Sequence, residues 1–163
     1  TSAAGPSSRQ SMVVVHGGGG GGCMPINATS PLLQNLLKRR PMLVLDMDET
    51  LIHTPRTMLA GGGAAIGKTI PRPGLHMFLQ AVVDIYEIVI FTAATKPYAD
   101  PILDRIEKDG GVKYFPRRLY REHCSIRGSM MTKDMRRIPG CDVKRAIIID
   151  NLRQNFMLQP RSE

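Results

Sequence analysis

Three short, wholly apolar runs constrain this chain most: Met42-Leu43-Val44-Leu45, Ile88-Val89-Ile90-Phe91 and Ala146-Ile147-Ile148-Ile149. A half-buried strand alternates apolar with polar residues, and these runs do not. They are predicted as strands buried on both faces, the pattern of a parallel sheet covered by helices. Helical spacing fills the gaps between them. Pro73 to Asp84 opens on a proline and repeats Leu75, Phe78, Leu79 and Val82. Lys96 to Lys108 repeats Ile102, Leu103 and Ile106, with Pro101 expected to limit or kink its start. Tyr114 to Tyr120 is a further strand candidate. The alternation predicts an α/β fold, a Rossmann-like parallel sheet with helices on both faces.

The flanks read differently. Residues 1–29 are rich in Ser, Gly and Ala, with an unbroken run from Gly17 to Gly22, and are expected to form a flexible tail. Within it, Met12 to Val15 is too short to nucleate structure alone. Order is expected from Ser30, which can cap a helix with Pro31 at its first position and Pro41 past its end. Leu32, Leu33, Leu36 and Leu37 make one apolar stripe there, read as a packing helix rather than a partner-binding one. The catalytic domain is therefore placed at 30–163. Ala60-Gly61-Gly62-Gly63-Ala64-Ala65 reads as a mobile loop over the sheet edge.

The formal charge of +8 favours anionic partners. No basic stripe is interleaved with aromatics, so direct nucleic-acid binding is not expected. Cys23, Cys124 and Cys141 are too few and too scattered for a disulfide framework or a zinc site, which fits a reducing compartment. No apolar run reaches transmembrane length, and the first residues are not a signal peptide. The expectation is an intracellular monomer, nuclear or cytoplasmic. The chain starts at Thr1 rather than Met, so targeting sequence upstream is left open.

Each buried run is followed by a polar residue: Asp46, Thr92 and Asp150. In open α/β sheets, ligands bind at the carboxyl ends of the strands. If the three strands are parallel neighbours, these side chains converge. Polar residues also end strands as turn formers, but three oxygen-bearing ends favour a site. Asp46, Asp48 and Asp150, with Asn151 adjacent, would crowd carboxylates whose repulsion pushes one pKa up. A hard divalent cation relieves this, and an all-oxygen set suits Mg²⁺, with nothing soft nearby to select zinc. An aspartate can attack a phosphoryl group to give an aspartyl-phosphate. A second carboxylate two residues along can protonate the leaving alkoxide and then deprotonate the attacking water. Lys133, in Thr132-Lys133-Asp134, either holds phosphate oxygens or is an ordinary surface lysine.

Asp46-Met47-Asp48-Glu49-Thr50-Leu51-Ile52-His53 resembles the first motif of the haloacid dehalogenase superfamily. It resembles in particular the branch of RNA polymerase II carboxy-terminal-domain phosphatases that includes the small phosphatases and Dullard. Arg72-Pro73-Gly74, Phe91-Thr92-Ala93, Tyr98-Ala99-Asp100, Leu119-Tyr120-Arg121-Glu122, Lys133-Asp134 and Ile149-Asp150-Asn151 resemble that branch's later signatures in the same order. The likeness spans about Pro41 to Pro160. It implies Asp46 as nucleophile and metal ligand, and Asp48 as general acid/base with its carbonyl on the metal. Thr92 and the N–H of Ala93 would bind phosphate, helped by Lys133. Asp150 and Asn151 would complete an Mg²⁺ site, and Tyr98 and Arg121 would line a phosphopeptide cleft.

The resemblance implies a protein serine/threonine phosphatase acting on a phosphoprotein, such as an RNA polymerase II C-terminal-domain-like peptide. Two departures stand out. Pro55 to Ile70 is too short for the branch's β-rich insert, and the chain ends before the strand and helix that follow Gln159-Pro160 in relatives. The expected domain therefore lacks a large cap and stops short at its C-terminal side. A non-catalytic relative resembling the receptor subunit of the mitochondrial presequence translocase is the alternative, but the presence of Asp46, Asp48, Lys133, Asp150 and Asn151 favours an enzyme. A small-metabolite phosphatase is a third reading, and the missing cap weighs against it.

Overall fold

In the computed structural model, which describes residues 13–16, 40–55, 69–128 and 130–158, the three apolar runs are neighbours in one sheet. In chain order the strands are β1 (Val13–His16), β2 (Met42–Leu45), β3 (Ile52–His53), β4 (Ile70–Pro71), β5 (Glu87–Phe91), β6 (Arg117–Leu119), β7 (Ser125–Arg127), β8 (Met130–Thr132) and β9 (Ala146–Asp150). The α-helices among the described residues are α1 (Leu75–Val82) and α2 (Lys96–Gly110). The main sheet has the order β1-β9-β2-β5-β6. Strands β9, β2, β5 and β6 are parallel, and β1 runs antiparallel along β9.

The unbroken apolar runs follow from where the sheet sits. All four residues of β2 are buried, and the pleat sends alternate side chains to opposite faces. Leu43 and Leu45 join Ile88 and Ile90 in one core, which α1 and α2 cover with Leu79, Ile102, Leu103 and Ile106. Met42 and Val44 join Val89, Phe91, Ala146 and Ile148 in a second core. Among the described residues that face is closed by the 3-10 turns Met135–Arg137 and Arg153–Phe156, with Met135 and Phe156 buried. Each such side chain contributes about 1.5–3 kcal/mol by leaving water.

The element ends differ from the sequence pattern in instructive ways. Helix α1 starts at Leu75, because Gly74 takes the left-handed conformation (φ 80°) just before it. Helix α2 continues through Pro101 to Gly110. Of Tyr114 to Tyr120, only Arg117–Leu119 pairs with β5, while Tyr114 and Phe115 are buried in the core. Within the tail expected to be flexible, where Met12 to Val15 reads as too short to nucleate alone, Val13–His16 forms a strand because the edge of β9 offers a ready partner. The helix expected from Ser30 and the Ala60–Ala65 loop lie outside the described residues.

The chain leaves β2 toward β5 and β6 on one side, then returns to β9 on the other. Strand order thus reverses at β2, whose carboxyl end is where this architecture binds ligands. Among the described residues, no helix is long and apolar enough to cross a membrane.

Candidate active site

Asp46 follows β2 directly, and its N–H still bonds the carbonyl of Ile149 on β9 at 3.0 Å. The chain then folds back sharply. The carbonyl of Met47 accepts from the N–H groups of Thr50, Leu51 and Ile52. Met47 itself is fully buried in the core shared with α1 and α2. With Met47 pointing inward, Asp46 and Asp48 both line one open cleft of about 810 Å³. Thr92, Ala93, Tyr98, Arg121 and Asn151 line the same cleft. Seven of the nine residues singled out from sequence therefore meet in one place.

The other two, Lys133 and Asp150, lie just beneath. Lys133 is 1% exposed, which excludes an ordinary surface lysine. Its ammonium donates to Asp46 Oδ1 at 2.5 Å and to Asp150 Oδ2 at 2.6 Å. Asp150 is wholly buried, and its Oδ1 accepts from the Leu152 N–H and from Asn155 Nδ2, each at 2.8 Å. Asp150 thus anchors Lys133 against the nucleophile candidate. The second oxygen of Asp46 accepts from the Thr50 hydroxyl at 2.9 Å. Burial pushes the Asp46 carboxyl up to about 6 against the opposing pull of Lys133, with the nearby Asp150 charge adding to the rise.

Asp48 is held from the other side. The Tyr98 hydroxyl donates to Asp48 Oδ1 at 3.0 Å and lies 3.1 Å from the Thr54 hydroxyl. Burial raises the Asp48 pKa, and the Tyr98 hydrogen bond works against that rise. A carboxyl raised in this way is able to give up a proton as an acid and take one back as a base. Tyr98 therefore does more than line a cleft, since it fixes the orientation of Asp48.

Thr92 is buried, and its N–H extends the ladder to Leu119 on β6. Its hydroxyl oxygen accepts from the N–H of Ala94 at 3.0 Å, which leaves the hydroxyl proton for an oxygen in the cleft. Arg121 braces this loop. Its Nε donates to the Ala93 carbonyl at 2.7 Å, and its N–H to the Ala94 carbonyl at 2.9 Å.

Among the described residues, no three His, Cys, Asp or Glu side chains form a ready-made metal cage. The donors at the cleft are instead mixed oxygens, from Asp46, Asp48 and Asn151. That chemistry fits a hard cation that keeps several waters, as Mg²⁺ does.

Sequence reading missed three contributors. Thr50 stands inside the first motif, yet nothing in its spacing marks its hydroxyl as a partner of Asp46. Thr54 and Asn155 carry no signal, because each acts through a partner brought close only by folding.

Residues 41–162 match the family described as NLI interacting factor-like phosphatase. The chain is 40% identical over 133 residues to nuclear envelope morphology protein 1 of Schizosaccharomyces pombe, covering 74% of this chain and 27% of that protein. It is 33% identical over 128 residues to human carboxy-terminal domain RNA polymerase II polypeptide A small phosphatase 1, covering 72% and 48%. The chain spans less than half the length of these relatives. Among solved structures, a variant of the fission yeast RNA polymerase II CTD phosphatase Fcp1 bound to beryllium fluoride matches with a TM-score of 0.55 at 25% identity, covering 77% of this chain and 41% of that one. The fold is that of the haloacid dehalogenase superfamily.

Proposed function

The chain belongs to the NLI interacting factor-like phosphatase family, and from that premise we propose that it is a Mg²⁺-dependent protein serine/threonine phosphatase working through an aspartyl-phosphate on Asp46. The observation that carries this reading is the buried bridge from Lys133 to Asp46 and Asp150 at the carboxyl ends of β2 and β9.

In the first step an oxygen of Asp46 attacks phosphorus, and the bond from phosphorus to the serine or threonine oxygen breaks. Asp48 gives its proton to that leaving oxygen. Thr92, the Ala93 N–H and Lys133 hold the phosphoryl oxygens as charge shifts among them. In the second step Asp48, now a carboxylate, takes a proton from a water that attacks the same phosphorus. The bond to Asp46 breaks, and inorganic phosphate leaves. Mg²⁺, held by Asp46, the Asp48 carbonyl and Asn151, with Asp150 completing the site from beneath through Lys133 and Asn155, would supply the positive charge that lets a carboxylate approach a phosphate dianion.

The open cleft supports a phosphoserine or phosphothreonine protruding from a protein, such as an RNA polymerase II C-terminal-domain-like peptide, with Tyr98 and Arg121 at its wall. Purified protein is expected to hydrolyse a generic aryl phosphate only with Mg²⁺ present. Asp46→Asn is expected to lose at least about 10³-fold in turnover, the scale for a deleted nucleophile, while melting as a folded protein. Full activity in Asp46→Asn would falsify the nucleophile assignment.

A further inference from the structure

We infer that Arg72 is a positioning residue for the loop that carries Asp46 and Asp48, acting through the backbone rather than on the substrate. The inference rests on the reading of Asp46 as nucleophile. Glu49, between the second carboxylate and Thr50, has φ 59° and is the only non-glycine residue in the left-handed region among those described. An L-residue is disfavoured there because its Cβ crowds the following carbonyl. Something must hold it, and three bonds from Arg72 converge on this turn. Arg72 Nη2 donates to the Glu49 carbonyl at 2.8 Å, Nε donates to the Thr50 carbonyl at 2.7 Å, and the Arg72 N–H donates to the Leu51 carbonyl at 2.8 Å.

Three successive carbonyls are thus fixed by one residue more than twenty positions away. The planar guanidinium suits the task, since its fork spans two acceptors at a set distance and an ammonium does not. The far end of the clamp reaches the chemistry. Thr50, held by its carbonyl, donates its hydroxyl to Asp46 Oδ2. Glu49 leads back to Asp48, whose carboxylate Tyr98 orients. The Glu49 side chain is tied to His53 at 2.8 Å, but both are solvent-exposed at the cleft mouth, so this second tie is weaker. Arg72 has its own fixed base, because Gly74 (φ 80°) turns the chain into α1 and the Leu75 N–H bonds the Arg72 carbonyl at 3.0 Å.

The test combines Arg72→Ala, Glu49→Gly and the double variant, with Mg²⁺ and a generic aryl phosphate. Arg72→Ala is expected to lower kcat by about 10²-fold, the scale for a misplaced reacting group, with KM within about twofold. In the double variant, glycine adopts the left-handed turn unaided, and about tenfold of the loss is expected to return. A purely structural role for Arg72 predicts lower melting temperature with normal kcat per folded molecule, and no recovery from the glycine. Either result overturns the inference. Should Arg72→Ala fail to fold, Arg72→Lys is read instead: a reduced kcat at wild-type melting temperature supports the fork, and a wild-type kcat overturns it. A failure of the nucleophile reading shows separately, as turnover retained in Asp46→Asn.

Discussion

Two clusters of ionised groups, each centred on one cation, sit on opposite sides of β5 and behave differently. Lys133 is buried between Asp46 and Asp150 at 2.5 and 2.6 Å. Arg118, on β6, reaches Asp100, Asp104 and Glu107 at 2.8 to 3.0 Å. Burial separates them in part: the Asp46, Lys133 and Asp150 side chains are at most 7% exposed, whereas Asp104 is 60% exposed and only Glu107, at 3%, is as deep. Charge balance separates them as well. Around Arg118, three carboxylates meet three cations, because Lys113 binds Glu107 and Lys96 approaches Asp100. Glu107 also accepts from the Phe115 N–H, and Asp100 from the Tyr120 hydroxyl. Every charge there is answered, and the cluster ties α2 to the sheet. Around Lys133, one cation faces two carboxylates, with Asp48 nearby in the same cleft. The shortfall of positive charge, together with the depth, marks the end of the sheet proposed as reactive.

The contrast can be broken most sharply at Lys133. Lys133→Met keeps the stem and removes the charge, leaving Asp46 and Asp150 uncompensated. Turnover is expected to fall by at least about 10³-fold, and loss of one partner of a buried pair to cost about 3–5 kcal/mol. Urea unfolding and steady-state kinetics read the two losses separately. The same change at Arg118 is expected to give the opposite profile. Arg118→Met should keep kcat within about twofold. It should cost about 1–3 kcal/mol, because Glu107 retains Lys113 and the Phe115 N–H. A large kcat loss in Arg118→Met would erase the difference between the two clusters.

The smallest effect concerns acid. Burial pulls the Asp100 pKa up, but the Tyr120 hydroxyl and Arg118 more than offset this and hold it below the usual carboxylate range. Ionised Asp100 thus contributes stability that is present above its unfolded pKa of about 3.9. That contribution is lost as pH falls through the lower folded value. The difference in melting temperature between wild type and Asp100→Asn should be widest near neutral pH and shrink as pH falls below the usual carboxylate range. A gap that stays constant with pH would mean that Asp100 contributes by shape alone.

Much of this was legible from the chain because a parallel sheet buried on both faces leaves a plain mark. Its strands are unbroken apolar runs, and its site lies where they stop. Asp46, Thr92 and Asp150 were readable on that basis. Lys133 was not, since position along the chain cannot tell a buried lysine from a solvated one. Tyr98 was placed at the cleft wall by resemblance, while its bond to Asp48 depends on the pitch of α2. Arg72 was visible only as part of a motif. Its work is done on carbonyl groups, which every residue has and no sequence displays. Strand β1 was the hardest to see, for its four residues make sense only beside β9.

The middle residue of the Asp-x-Asp pair has no chemistry of its own. Met47 is fully buried in the core shared with α1 and α2, and its carbonyl gathers three N–H groups. It works as a pivot: the bulk of one buried side chain limits how far the turn can rock, and so sets the angle between the two carboxylates that serve one phosphorus in the proposed mechanism. A substitution here is therefore expected to act through volume rather than through reactivity. A core residue and a catalytic residue are usually counted as separate kinds of constraint, and at position 47 they are the same one.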